Sequence, residues 1–202
     1  MPIQLVAGLG NPGDAYRDTR HNAGAEFVTE LARRHGVNLS AESKFFGLCG
    51  RVQANGMDFR LLIPTTYMNR SGQSLAAMAN FFKIPAQDIL VVHDELDFEP
   101  GIARLKKAGG HGGHNGLRDI CKAIGDGFLR LRLGIGHPGS ARDVSDYVLA
   151  RPSRTDRDLI DTSIDEALRI MPLLADERWN DAVKQLHTAT KPQPMEANQN
   201  GI

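Results

Sequence analysis

The stretch "QLVAGLGNPGDAYRDTRHNAG", Gln4 to Gly24, decides how the rest of the chain is read. Gly8, Gly10 and Gly13 follow an apolar run over residues 3–7 with the G-x-G-x-x-G spacing of a dinucleotide-binding loop. Such a loop opens directly into a helix aimed at pyrophosphate, and a second strand ends in Asp or Glu about 20 residues on. Here the chain stays polar and irregular through "DAYRDTRHN". The segment at that distance is "EFVTELARR", a helical pattern. The spacing matches and the context does not, so no nicotinamide or flavin cofactor is expected. The glycines instead let the backbone turn sharply after the strand, and what they expose there is Asn11.

Outward from this loop, residues 25–34 read as an amphipathic helix ending at Gly36. Residues 45–54 and 57–63 flank Asn55-Gly56, the strongest short signal for a β-hairpin. Ser71 is placed to cap a helix running to about Phe82, stopped before Pro85. Residues 89–92, "ILVV", form a short apolar run suited to a central strand buried on both faces. Further strands are expected at 102–105 and 129–135, with a helix between them near 117–124. Beyond Pro152 the pattern is helical, and Ile160, Ile164, Ala167, Leu168, Met171 and Leu174 make one apolar stripe that reads as core. Strands interleaved with helices predict one α/β domain over residues 1–189. Its twisted central sheet is mixed but mostly parallel, with helices on both faces. Residues 190–202, "TKPQPMEANQNGI", lack periodicity and read as a flexible tail. No internal repeat or interdomain linker is found.

The chain of 202 residues, 41% hydrophobic and 24% charged, has the composition of an ordinary globular protein and suits a single core. No run approaches a membrane span, and no basic segment precedes the N-terminal apolar run as in a signal peptide. Two cysteines, Cys49 and Cys121, form neither a framework nor a C-x-x-C pair, which suits a reducing cytoplasm. Net charge is zero, yet residues 101–142 hold eight Lys/Arg against Asp119 and Asp126, while residues 143–181 hold ten acids against five bases. A local basic patch can bind a polyanion despite zero net charge, because surface fields reach about 8–10 Å. The plainer alternative is an unevenly charged, solvated face.

In open α/β sheets ligands collect beyond the carboxyl ends of the strands. Asn11, His21 and Asn22 follow the first strand. "PTTYMNRSG" presents Tyr67, Met68 and Asn69, "HDELD" presents His93 and Asp94, and "KKAGGHGGHNG" presents His111, His114 and Asn115. No G-x-S-x-G elbow or Walker A loop is present, and neither cysteine lies in these loops. His111 and His114 with Asp94 lack a second carboxylate or thiolate at a recognised ligand spacing, so no metal is expected. The chemistry left is a His general base, oriented by Asp, activating water while Asn amides hold an acyl group and its oxyanion. That suits an activated ester, whose alcohol leaves more readily than an amine.

Taken together, "GLGNPGDAYRDTRHNAG", "PTTYMNRSG", "HDELD", "GGHGGHNGLRDI" and "RLRLGIGHPG" resemble, in order and approximate spacing, bacterial peptidyl-tRNA hydrolase, from about Ile3 to His187. The resemblance implies a monomeric cytoplasmic enzyme that cleaves the ester between a peptide and the terminal ribose of tRNA. It needs no cofactor or obligate protein partner, and it frees tRNA after ribosomes stall. It implies His21 as catalytic base and Asp94 as its partner. Asn11, Asn69 and Asn115 become amides for peptide backbone, water and the terminal nucleotide, with Tyr67 and Met68 in the groove beside them. Tyr16 is implied to contact tRNA, and Lys106 with Arg132 to clamp its 5′-phosphate. The chain departs from the family pattern at Phe98-Glu99, where a Leu-Pro pair is common and a neutral turn change is expected. It departs again in the short segment "GDGF". Two rival readings remain: a relative that binds RNA without hydrolysis, and a hydrolase of small N-acylated esters.

Overall fold

The fold comes from a computed structural model, which describes residues 2–191. Its seven strands, in chain order, are β1 (Leu5–Gly8), β2 (Ser40–Glu42), β3 (Gly47–Ala54), β4 (Met57–Pro64), β5 (Ile89–Glu95), β6 (Ala103–Lys107) and β7 (Leu129–Gly134). They form one sheet in the order β2-β3-β4-β1-β5-β7-β6. The middle strands β4, β1, β5 and β7 are parallel, and the outer pairs are antiparallel. The hairpin turns where expected: Ala54 faces Met57, and Asn55 and Gly56 both take positive φ, at 53° and 79°. That handedness matches the twist of the flanking strands.

Helices cover both faces. α1 (Ala23–Arg34), α5 (Arg154–Arg169), α6 (Met171–Ala175) and α7 (Trp179–Ala189) pack on one side. α2 (Ser71–Phe82) and α3 (Asn115–Ile124) pack on the other. The two cores divide the central strands by parity, as the two-residue period requires: Leu90 and Val92 face α1, while Ile89 and Val91 face α2 and α3. The expected stripe from Ile160 to Leu174 is buried throughout, and each large aliphatic side chain there contributes about 1.5–3 kcal/mol.

Sequence and structure part at several places. Ser71 is the first residue of α2, not its cap, and its hydroxyl donates to the Met68 carbonyl. The cap comes from a distance, as the Asp119 carboxylate of α3 accepts the Gly72 N–H at 2.7 Å. Thr190, expected to begin the tail, is buried, and its hydroxyl bonds Ala103 and Leu186 carbonyls. The rest of the expected tail, from residue 192, lies outside the described residues. β2 and α4 (Val144–Leu149) are additions that no sequence pattern announced.

The opening glycines have a packing role. A Cβ on Gly8 would meet the Gly24 carbonyl oxygen at 2.1 Å, and one on Gly24 would meet the Val92 carbonyl oxygen at 2.2 Å. Backbone lies on backbone here, which lets α1 sit directly across β1 and β5. The turn before α1, which carries His21, is thereby pressed onto the end of β5.

Candidate active site

Because β4, β1, β5 and β7 run parallel, the loops after them open on one edge. There a cavity of about 740 Å³ is lined by Asn11, His21, Tyr67, Met68, Asn69, Asp94, Lys106, Asn115 and Arg132. Tyr16 is not among its lining residues and stands edge-on to Tyr67, with ring centroids 6.3 Å apart.

Asp94, at the end of β5, is the hub. His21 Nδ1 lies 3.0 Å from both carboxylate oxygens, and His114 Nε2 lies 2.9 Å from Oδ1. The backbone fixes the tautomer of His114. As the residue capping α3, its Nδ1 accepts the N–H groups of Gly116 and Leu117, so the proton sits on Nε2 and is donated to Asp94. His21 likewise donates from Nδ1, which leaves its Nε2 with a lone pair. Burial alone would lower the His21 pKa, but the charge and hydrogen bond of Asp94 outweigh it and raise the value above the ordinary 6.5. Burial alone would raise Asp94, but the two imidazoles hold it well below the carboxylate range.

His93 lines the same cavity and stands edge-on to the His114 ring, with centroids 5.2 Å apart. Its Nδ1 donates to the Asp94 carbonyl at 2.7 Å, and burial pushes its pKa down to about 3. A buried neutral imidazole is a poor base, so it does not compete with His21. His111 lies apart from Asp94, with its Nδ1 accepting the Gly113 N–H. The trio His21, Asp94 and His114 offers three ligand atoms within 4.8 Å of one another. The tautomer that caps α3, however, points a proton rather than a lone pair from His114 at the shared centre. The donor set is arranged for hydrogen bonds, not for an ion.

The three carboxamides are not equivalent. Asn11 Oδ1 accepts the Met68 N–H at 2.8 Å, which fixes its amide orientation and leaves its Nδ2 as a donor. Asn22, which the sequence reading left without a role, holds the Asn11 backbone from both sides: its Oδ1 accepts the Asn11 N–H and its Nδ2 donates to the Asn11 carbonyl. Asn115 accepts from Arg118, and Asn69 is exposed at the rim. Val144, Ser145, Val148 and Leu149 of α4 close one wall.

The basic segment does not form one patch. Arg104 turns to Thr190 after α7, and Lys107 lies over the Trp179 ring. Lys106, Arg130 and Arg132 are the cations lining the cavity. Arg132 donates to Glu95 at 2.8 Å and stacks over Phe98 at 4.5 Å. Phe98, at the bend after β5, is thus also a contact for Arg132.

An imidazole set on a buried carboxylate, among carboxamides at the carboxyl edge of an α/β sheet, defines the class of protein: a hydrolase. Comparison narrows this. A family model described as peptidyl-tRNA hydrolase matches residues 5–194. The peptidyl-tRNA hydrolases of Pseudomonas paraeruginosa and Azotobacter vinelandii are each 58% identical over 188 residues, 92% of this chain and 97% of theirs. A crystal structure of the Acinetobacter baumannii enzyme superposes with a TM-score of 0.91 at 51% identity, over 95% of this chain and 97% of that one. The chain belongs to the peptidyl-tRNA hydrolase family.

Proposed function

We infer that the chain hydrolyses the ester between a peptide and the terminal ribose of tRNA, with His21 as general base and Asp94 as its orienting partner. The observation that carries this is the His21–Asp94 bond inside a cavity walled by Asn11, Asn69 and Asn115. His21 Nε2 takes a proton from water as the water oxygen bonds the ester carbonyl carbon. The imidazolium, stabilised by Asp94, returns that proton to the ribose oxygen as the carbon–oxygen bond breaks. Asn11 Nδ2 is the donor suited to the carbonyl oxygen where negative charge develops. Asn69 and Asn115 take the peptide backbone and terminal nucleotide, Tyr67 and Met68 lie in the groove beside them, and Tyr16 meets tRNA. Lys106 with Arg132, steadied by Glu95, takes the 5′-phosphate.

The family resemblance implies action as a monomer. Two free thiols and the absence, among the described residues, of any helix long and apolar enough to cross a membrane are consistent with a cytoplasmic setting. The intact His21–Asp94 pair speaks against an RNA binder without activity. Purified protein should release N-acetyl amino acid from acylated tRNA, and tRNA left intact would overturn the proposal. Turnover should survive a strong chelator. Activity lost to chelation and restored by zinc would refute the metal-free mechanism.

A further inference from the structure

We propose that Arg130 is a positioning residue for this hydrolysis, holding the glycine-rich loop in the shape that brings His114 and Asn115 to the site, and is not a tRNA phosphate contact. The proposal rests on the hydrolytic reading above. The loop between β6 and α3 has little conformational restraint of its own. Ala108, Gly109, Gly112 and Gly113 all have positive φ, at 53°, 114°, 55° and 83°. Glycines in such numbers lose much backbone freedom when ordered, so the loop needs an anchor. At its far end His114 both caps α3 and bonds Asp94, so a drift of the loop is a drift of the hydrogen bond that steadies the catalytic carboxylate.

Arg130 supplies the anchor from the sheet interior. It sits on β7 between Val91 of β5 and Lys106 of β6, only 3% exposed, with its guanidinium over the Phe128 ring at 4.5 Å. Its Nη1 donates to the Gly110 carbonyl and its Nη2 to the Gly109 carbonyl. A planar fork meets two successive carbonyls, which the point charge of a lysine cannot reproduce. The same loop shape also seats Lys106, since a Cβ on Gly109 would meet its Cε and Nζ at 3.1 Å. Both residues line the cavity, but buried Arg130 directs its guanidinium to the loop backbone, whereas Lys106 is exposed.

The test is Arg130→Met beside Arg130→Lys. For both variants kcat should fall by about 10²-fold, the cost of misplacing catalytic groups by roughly 1 Å. KM should move less, and the slope of log affinity against log salt should stay at the wild-type value. Amide hydrogen exchange over residues 108–116 should accelerate while β1 and β5 stay protected, and low guanidinium concentrations should partly restore kcat to Arg130→Ala. Wild-type kcat with a flattened salt slope would make Arg130 a phosphate contact and overturn the proposal. So would unchanged loop exchange. Exchange reads the tether without any substrate, so it separates failure of this inference from failure of the hydrolytic assignment. Should Arg130→Met not fold, Arg130→Lys, which keeps charge and bulk, gives the same readouts.

Discussion

Two charged clusters share the carboxyl edge of the sheet and differ in their relation to water. The inner one, His21, Asp94 and His114, has side chains 10%, 2% and 10% exposed, and every proton in it has an assigned direction. The outer one sets Arg132 against Glu95 and, at 3.8 Å, against the exposed Asp97, with Lys106 open to solvent. Burial makes each inner interaction strong and insensitive to salt; at the rim the Arg132–Glu95 pair is partly shielded, with side chains 20% and 16% exposed, and solvent screens chiefly Asp97 and Lys106. Under the proposed function, reaction rate belongs to the inner cluster and affinity to the rim.

The strongest challenge to that division is His21→Ala. It should lower kcat by about 10²–10⁴-fold and leave the dissociation constant for tRNA unchanged. A comparable fall in kcat on changing the rim would erase the distinction. Next is Asn11. Removing a donor aimed at a developing oxyanion costs about 10²–10³-fold, so Asn11→Ala should fall in that range. Asn11→Asp should do no better, because the Met68 N–H keeps its acceptor while a carboxylate faces the oxyanion. Both changes, and Asn69→Ala, should also erode the preference for N-acetylated over free aminoacyl-tRNA, measured on one tRNA before and after acetylation. Equal cleavage of the two forms by the unaltered protein would refute recognition by neutral amides.

The pH profile sharpens the inner half of the comparison. The base works when neutral, and Asp94 raises the His21 pKa. The acid limb of kcat/KM should therefore lie above 6.5, with activity rising as pH increases through it. Asp94→Asn removes the charge that causes the shift, so the limb should move to lower pH as the rate falls. A limb that stays in place would assign it to another group. The smallest effect belongs to the rim. Lys106→Ala with Arg132→Ala should raise KM and flatten the salt slope by up to about one unit per lost phosphate contact, with little change in kcat. Wild-type affinity and slope in the double variant would remove the clamp.

A different contrast explains what the sequence disclosed. Elements with a strong local signal were legible: the buried run at Ile89–Val92 and the buried stripe from α5 into α6 carry apolar patterning, and the exposed Asn55-Gly56 turn carries a conformational preference. β2 was not, because three polar-edge residues, Ser40–Glu42, are a strand only by pairing with β3. Ser71 misled because a local cap signal gave way to Asp119, 47 positions away. In the site, local chemistry pointed to a His base, an Asp partner and the carboxamides, and the family resemblance singled out His21 and Asp94. Asn22, His114 and Arg130 gain their roles from what they hold, which only the folded backbone reveals. Residue type alone placed Arg130 beside Arg132 as one more cation. The fold gives one the loop carbonyls and the other Glu95.

The central place of β1 has a consequence for how this chain is made. The first strand in sequence lies between β4 and β5, and the site bonds span long separations, 73 positions from His21 to Asp94 and 57 from Asn11 to Met68. Such high contact order slows folding relative to a local unit such as the β3–β4 hairpin. During refolding the hairpin should form early, with catalytic competence returning only as the sheet closes. On the ribosome the consequence is stricter. A chain still awaiting β5 has no Asp94, and one awaiting the glycine-rich loop has no His114. Until both have emerged, the nascent protein lacks part of the site proposed for ester cleavage.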